Sequence, residues 1–262
     1  AELIGGFLFN SLALLSDSAH VFMDVFALSL SWLALYICAM PPTETRTYGW
    51  HRSEVFAAFI NGVTLLFVSL VIFYEAYQRL ISLPEVKGLG TMVVASVGLA
   101  VNIIVASWFK GHKHEDLNIR SAYLHVVWDA VASVGVILSG IIIYYTNWFA
   151  ADPLISIGIG IIIIIGAVKI ILESAHILLE GVPKEVDIKK IVEDIKALDG
   201  VQGIHTLHIW SICSNIHAMS AHIDIKEDAK NRRGEILELI NQKLAKDHHI
   251  FYTTLQAECN GC

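Results

Sequence analysis

The chain has 262 residues, of which 55% are hydrophobic and 16% charged, with a mean hydropathy of +0.60. A soluble domain carries about 25% charged residues, so a wholly soluble chain is excluded, and a net charge of −7 with no basic cluster argues against a nucleic-acid partner. The deficit is uneven: residues 1–181 hold long apolar runs, while 182–262 are rich in Lys, Glu and Asp. A membrane region followed by a domain in water is the expected division.

A spanning helix needs about 20 mostly apolar residues. The chain opens without Met in apolar sequence, so residues 3–9 read as the remnant of a first helix. Further spans are expected over 12–40 (stopped by Pro41 and Pro42), 55–77, 90–109, 121–145 and 154–172, six in all. Arg46 and Arg52 follow the second span and Lys110, Lys113 and Arg120 the fourth. That excess places these two loops, and the C-terminal domain, on the cytoplasmic side. In the tail, helical periodicity over 186–198 precedes strands at 201–213 and 216–225, an amphipathic helix at 234–245 and a last strand at 250–258. This order predicts a small α+β domain with helices on one face of a sheet.

The informative residues are the ionisable ones inside the spans, which are costly in hydrocarbon. His20 and Asp24 in the second span, and His125 and Asp129 in the fifth, are each spaced i, i+4. That spacing sets both side chains on one helix face. Two such faces meeting supply two imidazoles and two carboxylates, a set suited to tetrahedral Zn²⁺. Local hydrogen bonding or a metal-free proton relay is the alternative. The pairs align in depth only if the helices begin near Leu12 and Leu117. Asp17 reads as a helix N-cap. The tail holds six of the twelve histidines, and His208 and His222, on strands joined by a short turn, are expected as neighbours. Glu258, Cys259 and Cys262 could complete a cytoplasmic site, although a C-x-x-C tail also suits two free thiols.

These features converge on a known family. The run from Ser11 to His20 with Asp24, Tyr48-Gly49-Trp50-His51-Arg52-Ser53-Glu54, His125 with Asp129, His208-Ile209-Trp210, Ala221-His222 and Thr254-Leu255-Gln256-Ala257-Glu258 together resemble the zinc-transporting branch of the cation diffusion facilitator family. The resemblance covers essentially the whole chain. It implies a six-helix transport domain at 1–181 and a ferredoxin-like cytoplasmic metal-binding and dimerisation domain at 182–262. It further implies a plasma-membrane homodimer, not an enzyme, that expels Zn²⁺ in exchange for protons through His20, Asp24, His125 and Asp129. His51 matches a loop position that binds metal in some members, and Arg52 and Glu180 match an ion pair linking the two domains. The sequence departs from the family in a short fourth-to-fifth loop with only His112 and His114, and in Phe251 and Tyr252 where relatives often carry His. The N-terminal segment that supplies ligands in some members is also missing from it.

Competing readings are an exporter of Cd²⁺, Co²⁺, Fe²⁺ or Mn²⁺, since geometry and availability decide selectivity, and a membrane metal sensor that transports nothing. An intramembrane metallohydrolase would need a motif such as H-E-x-x-H, which the sequence lacks.

Overall fold

Each apolar run becomes a helix whose ends are set by the residues flanking it. The computed structural model describes residues 1–110, 117–214 and 216–258, and of 109, 110 and 117–125 it describes the backbone alone. Helix α1 (Glu2–Phe9) ends on Asn10 in the left-handed conformation, φ 55°. Helix α2 (Leu12–Cys38) stops ahead of Pro41 and Pro42, which bias the preceding backbone away from helix. Helices α3 (Arg52–Ser82), α4 (Gly88–Lys110), α5 (Leu117–Thr146) and α6 (Ala151–Leu178) follow. Pro153 sits in the first turn of α6, where its missing N–H costs nothing. Five of these helices, α2 to α6, are long and apolar enough to cross a membrane. Helices α3, α5 and α6 run several residues past the apolar stretches expected from sequence, because polar helix formers extend a helix beyond its hydrophobic length, whereas α2 ends two residues short of the expected Met40. The starts of α2 and α5 fall at Leu12 and Leu117, as the depth argument requires.

The tail is built from α7 (Ile188–Lys196), β1 (Val201–Cys213), β2 (Ile216–Ile225), a 3-10 turn (Glu227–Arg232), α8 (Arg233–His248) and β3 (Ile250–Glu258). The sheet order is β1-β2-β3, with β1 antiparallel and β3 parallel to the central β2. Asp187 caps α7, accepting from the Lys189 and Lys190 amides. The apolar faces of α7 and α8 (Ile191, Ile195, Ile236, Ile240 and Leu244) pack with Ile209, Met219, Ile223 and Ile250 of the sheet into one core. This is the helices-on-one-face α+β domain read from the sequence.

Two compact units divide the chain: residues 1–30 with 60–170, and residues 31–59 with 171–262. In the first, Ala13, Leu14, Leu65, Ile72, Ala95, Val136, Ile159 and Ile163 form the apolar centre. Helices α4 and α5 come unusually close at Gly88 and Gly140. A Cβ at Gly88 would lie 2.7 Å from the Gly140 carbonyl oxygen, and one at Gly140 would lie 2.9 Å from that of Gly88. Small residues at such a crossing let backbones of membrane helices touch.

The start of α2 is held from α6. The fully buried Asp152 carboxylate accepts from Ser11 Oγ (2.5 Å), Leu12 N (2.6 Å) and Ala13 N (3.3 Å). The expectation that Asp17 caps a helix is therefore corrected. The apolar residues 12–15 are already helical, so Asp17 lies inside α2, where its buried carboxylate accepts from Ser133 Oγ of α5 at 3.4 Å. The cap is Asp152, distant in sequence and invisible to local rules.

Asp152→Ala leaves a hydroxyl and two amides unmet in an apolar setting, and should destabilise the protein by about 2–4 kcal/mol. A melting temperature in detergent equal to wild type would remove the capping role. In the tail, His248 Nε2 donates to Asp194 at 2.9 Å and Lys243 adds a contact at 3.4 Å. The hydrogen bond from His248, more than the nearby Lys243, holds the Asp194 carboxyl below the usual carboxylate range. Its stabilising effect is thus present above the unfolded value near pH 4 and lost as pH falls through the lower folded value. Hydrogen exchange of α7 in the whole protein should accelerate over that acid window, and Asp194→Asn should flatten the acceleration.

Candidate metal sites

Two clusters of metal-ligating side chains stand out among the described residues: His20, Asp24 and Asp129, and His205, His222 and Glu258. In each, one ligand atom per residue lies within 4.8 Å of the others.

The first cluster is built by two membrane helices. One turn of α2 separates His20 from Asp24, so both project from the same face, and α5 brings Asp129 against it. His20 Nε2 lies 3.8 Å from Asp24 Oδ2 and 3.5 Å from Asp129 Oδ1. All three side chains are largely shielded, with exposures of 23%, 27% and 12%. The spacing is chemically meaningful. Ligands about 2.1 Å from a tetrahedral ion stand roughly 3.4 Å apart, longer than a hydrogen bond and shorter than a water-filled gap. One turn farther toward the start of α2, the Ser133–Asp17 contact joins the same two helices. His125 occupies the position four residues before Asp129 on α5, and its side chain lies outside the described residues.

The second cluster depends on strand register. Thr206 adopts φ 49°, and the β1–β2 ladder shifts between His205 and His208. A β-branched residue in the left-handed region marks a strained extra residue in the strand. Because of it, His205 rather than Thr206 lies opposite His222, while His208, on the turn side of the shift, pairs with Ser220. The two rings of the first pair lie 5.1 Å apart. The parallel β3 then sets Glu258 beside Asp224. Glu258 contacts His222 Nδ1 at 2.7 Å and His205 Nε2 at 3.1 Å, and Asp224 reaches His205 Nε2 at 3.4 Å. The expected neighbours His208 and His222 are therefore not brought together. His205 takes the place given to His208: the register running from the turn sets His208 opposite Ser220, and the bulge brings His205 opposite His222. The only local signal was His205 itself in a histidine-rich strand, and nothing in the sequence singled out Asp224. Cys259 and Cys262 lie outside the described residues, as do His112 and His114.

The remaining expected residues fall in the second unit. Arg52 and Glu180 form an ion pair at 3.1 Å. His51 and His208 both line a cleft of about 780 Å³ rather than either cluster. Glu54 accepts from Ser214 Oγ at 2.8 Å.

The arrangement can be compared with known proteins. Residues 1–179 match the family profile described as the cation efflux transmembrane domain, and residues 183–259 match that of the cation efflux protein cytoplasmic domain. The chain is 40% identical to the cadmium, cobalt and zinc/H(+)-K(+) antiporter of Bacillus subtilis, over 98% of this chain and 83% of that protein. It is 37% identical to the metal cation efflux system protein CzcD of Cupriavidus metallidurans, over 100% and 83%. It is 36% identical to the zinc transporter ZitB of Pectobacterium atrosepticum, over 100% and 82%. A chain matched over nearly its whole length by both profiles, and at these identities by full-length relatives, belongs to the cation efflux, or cation diffusion facilitator, family, in the branch that holds the zinc transporters.

Proposed function

We propose that this protein expels divalent metal from the cytoplasm, with Zn²⁺ as preferred cargo, in exchange for protons. The observation that carries the reading is the trio of His20, Asp24 and Asp129, shielded between two membrane-spanning helices at tetrahedral spacing. A fourth donor comes from His125, at the i−4 position from Asp129. Two imidazoles favour zinc over manganese or magnesium, which prefer oxygen. Family membership supports efflux, and the relatives named as antiporters support exchange.

Metal binding needs neutral imidazoles and ionised carboxylates, so loading from the cytoplasm releases protons. After the helices rock to expose the site on the far side, protons there compete the ion off. Imidazole titrates near neutrality, which lets a modest gradient drive release. Residues 1–181 act as the transport domain, and residues 182–262 as the cytoplasmic domain through which a homodimer forms in the plasma membrane. In that domain His205, His222 and Glu258 hold a second ion, and Arg52 with Glu180 couples the domains. Metal on the cytoplasmic cluster alters transport only if its affinity differs between conformations.

The test is zinc uptake into proteoliposomes with and without a proton gradient. Loss of a residue that merely supports a ligand costs 10–100-fold, so Asp129→Ala should lower gradient-driven flux by about a hundredfold or more. Flux at the wild-type rate in that variant would discard the site. Zinc binding without flux in the wild type would make the protein a sensor. In a full chain carrying Asp24→Ala and Asp129→Ala, calorimetry should still detect cytoplasmic zinc. His205→Ala should weaken that binding about 10–100-fold, whereas His208→Ala should leave it unchanged. The reverse pattern would restore His208 as the ligand.

A further inference from the structure

We propose that the segment joining α2 to α3, with the end of α6, binds an anionic phospholipid. The headgroup lies in the cleft of the second unit, and an acyl chain lies in the groove beside it.

Two cavities meet here. The larger, about 780 Å³, is lined by Arg46, His51, Arg52 and Glu180, and from the tail by Leu207 and Trp210 among others. That volume is within the roughly 300–1,000 Å³ range of small-molecule sites. The smaller, about 380 Å³, is walled by Trp50, Phe56 and Leu178. Arg46, Gly49 and Arg52 line both. A larger cleft of mixed polar and apolar lining and a smaller apolar one, sharing a rim of two guanidiniums, match the two parts of a phospholipid. A free phosphate ester would use only the first.

The charge is arranged for an anion. Arg52 is engaged by Glu180 at 3.1 Å. Arg46 sits over Trp50, its Cζ 3.7 Å from the ring centroid, and among the described residues it has no carboxylate partner. Stacking holds the guanidinium plane and leaves its edge donors for a phosphate, which such a planar fork binds in a bidentate manner. The loop itself is fixed by backbone bonds between Thr43 and Arg46 and from Gly49 N to the Arg46 carbonyl at 2.8 Å, with Gly49 at φ 72°. The cation is therefore positioned before any ligand arrives.

The location agrees. Lys and Arg in the short loops place this segment on the cytoplasmic side, where anionic headgroups attract basic pockets between membrane helices. Tyr48, which lines the larger cleft, and Phe56, which lines the smaller, remain about half exposed, at 51% and 56%. The inference does not depend on the metal sites.

The experiment uses the full chain in detergent, given equal amounts of phosphatidylglycerol and phosphatidylcholine, with retained lipid counted by native mass spectrometry. Wild type should retain phosphatidylglycerol preferentially. Arg46→Gln should lower that retention about tenfold, the value of one charge-assisted hydrogen bond, with phosphatidylcholine unchanged and Arg46→Lys recovering part of it. Phe56→Ser should also weaken phosphatidylglycerol retention. It keeps the proposal testable should Arg46→Gln fail to fold. Equal retention of the two lipids by wild type, or undiminished phosphatidylglycerol in a folded Arg46→Gln or in Phe56→Ser, would overturn the proposal. Displacement of the lipid by an equal concentration of soluble glycerol phosphate would also overturn it, and would assign the cleft to free phosphate esters. Zinc flux measured in parallel separates this result from the transport reading, because Arg46 is no part of either metal cluster.

Discussion

A carboxylate inside a lipid bilayer has no water to solvate it, and the organisation of the first unit follows from that constraint. Asp152 of α6 is met by a hydroxyl and two amides at the start of α2, and Asp17 is met by Ser133. Asp24 and Asp129 are turned toward His20. Each contact joins a residue on one helix to a residue on another or one turn away. The polar groups thereby set helix register more sharply than the surrounding Leu and Ile, which would tolerate sliding. Asp24 and Asp129, at the proposed transport site, thus also tie their helices to His20.

The tail obeys a different rule. Its helices α7 and α8 bury one apolar face on a three-stranded sheet. Its cluster of His205, His222 and Glu258 is assembled by hydrogen-bonded register rather than by helical periodicity. A ladder can place three distant residues in contact, but only as well as each pair of strands is aligned.

That difference explains how much of the molecule was legible beforehand. The six helices rest on long apolar runs, and the order of tail elements and the i, i+4 pair of His20 and Asp24 on periodicity, both of which a sequence displays directly. The partner of Asp152 and the position of Asp17 rest on contacts between segments some 140 and 116 residues apart, which it does not display. That His205 faces His222 turned on one residue, Thr206, whose backbone departs from the conformation its side chain favours, and His208 is set opposite Ser220 by the register from the turn. Strand alternation is reliable until a bulge interrupts it, and a bulge at a Thr rather than a Gly carries no sequence warning.

The parallel placement of β3 has a consequence for folding order. His205 and His222 come together by closing a hairpin, a local and rapid event. Glu258 reaches them only after the chain has passed through α8 and returned to lie beside β2. Closing that longer loop is the slower, entropically costlier step. An ion held by all three residues would therefore tie the last strand to the first two, and the tail would become most resistant to unravelling at the place where it finishes assembling.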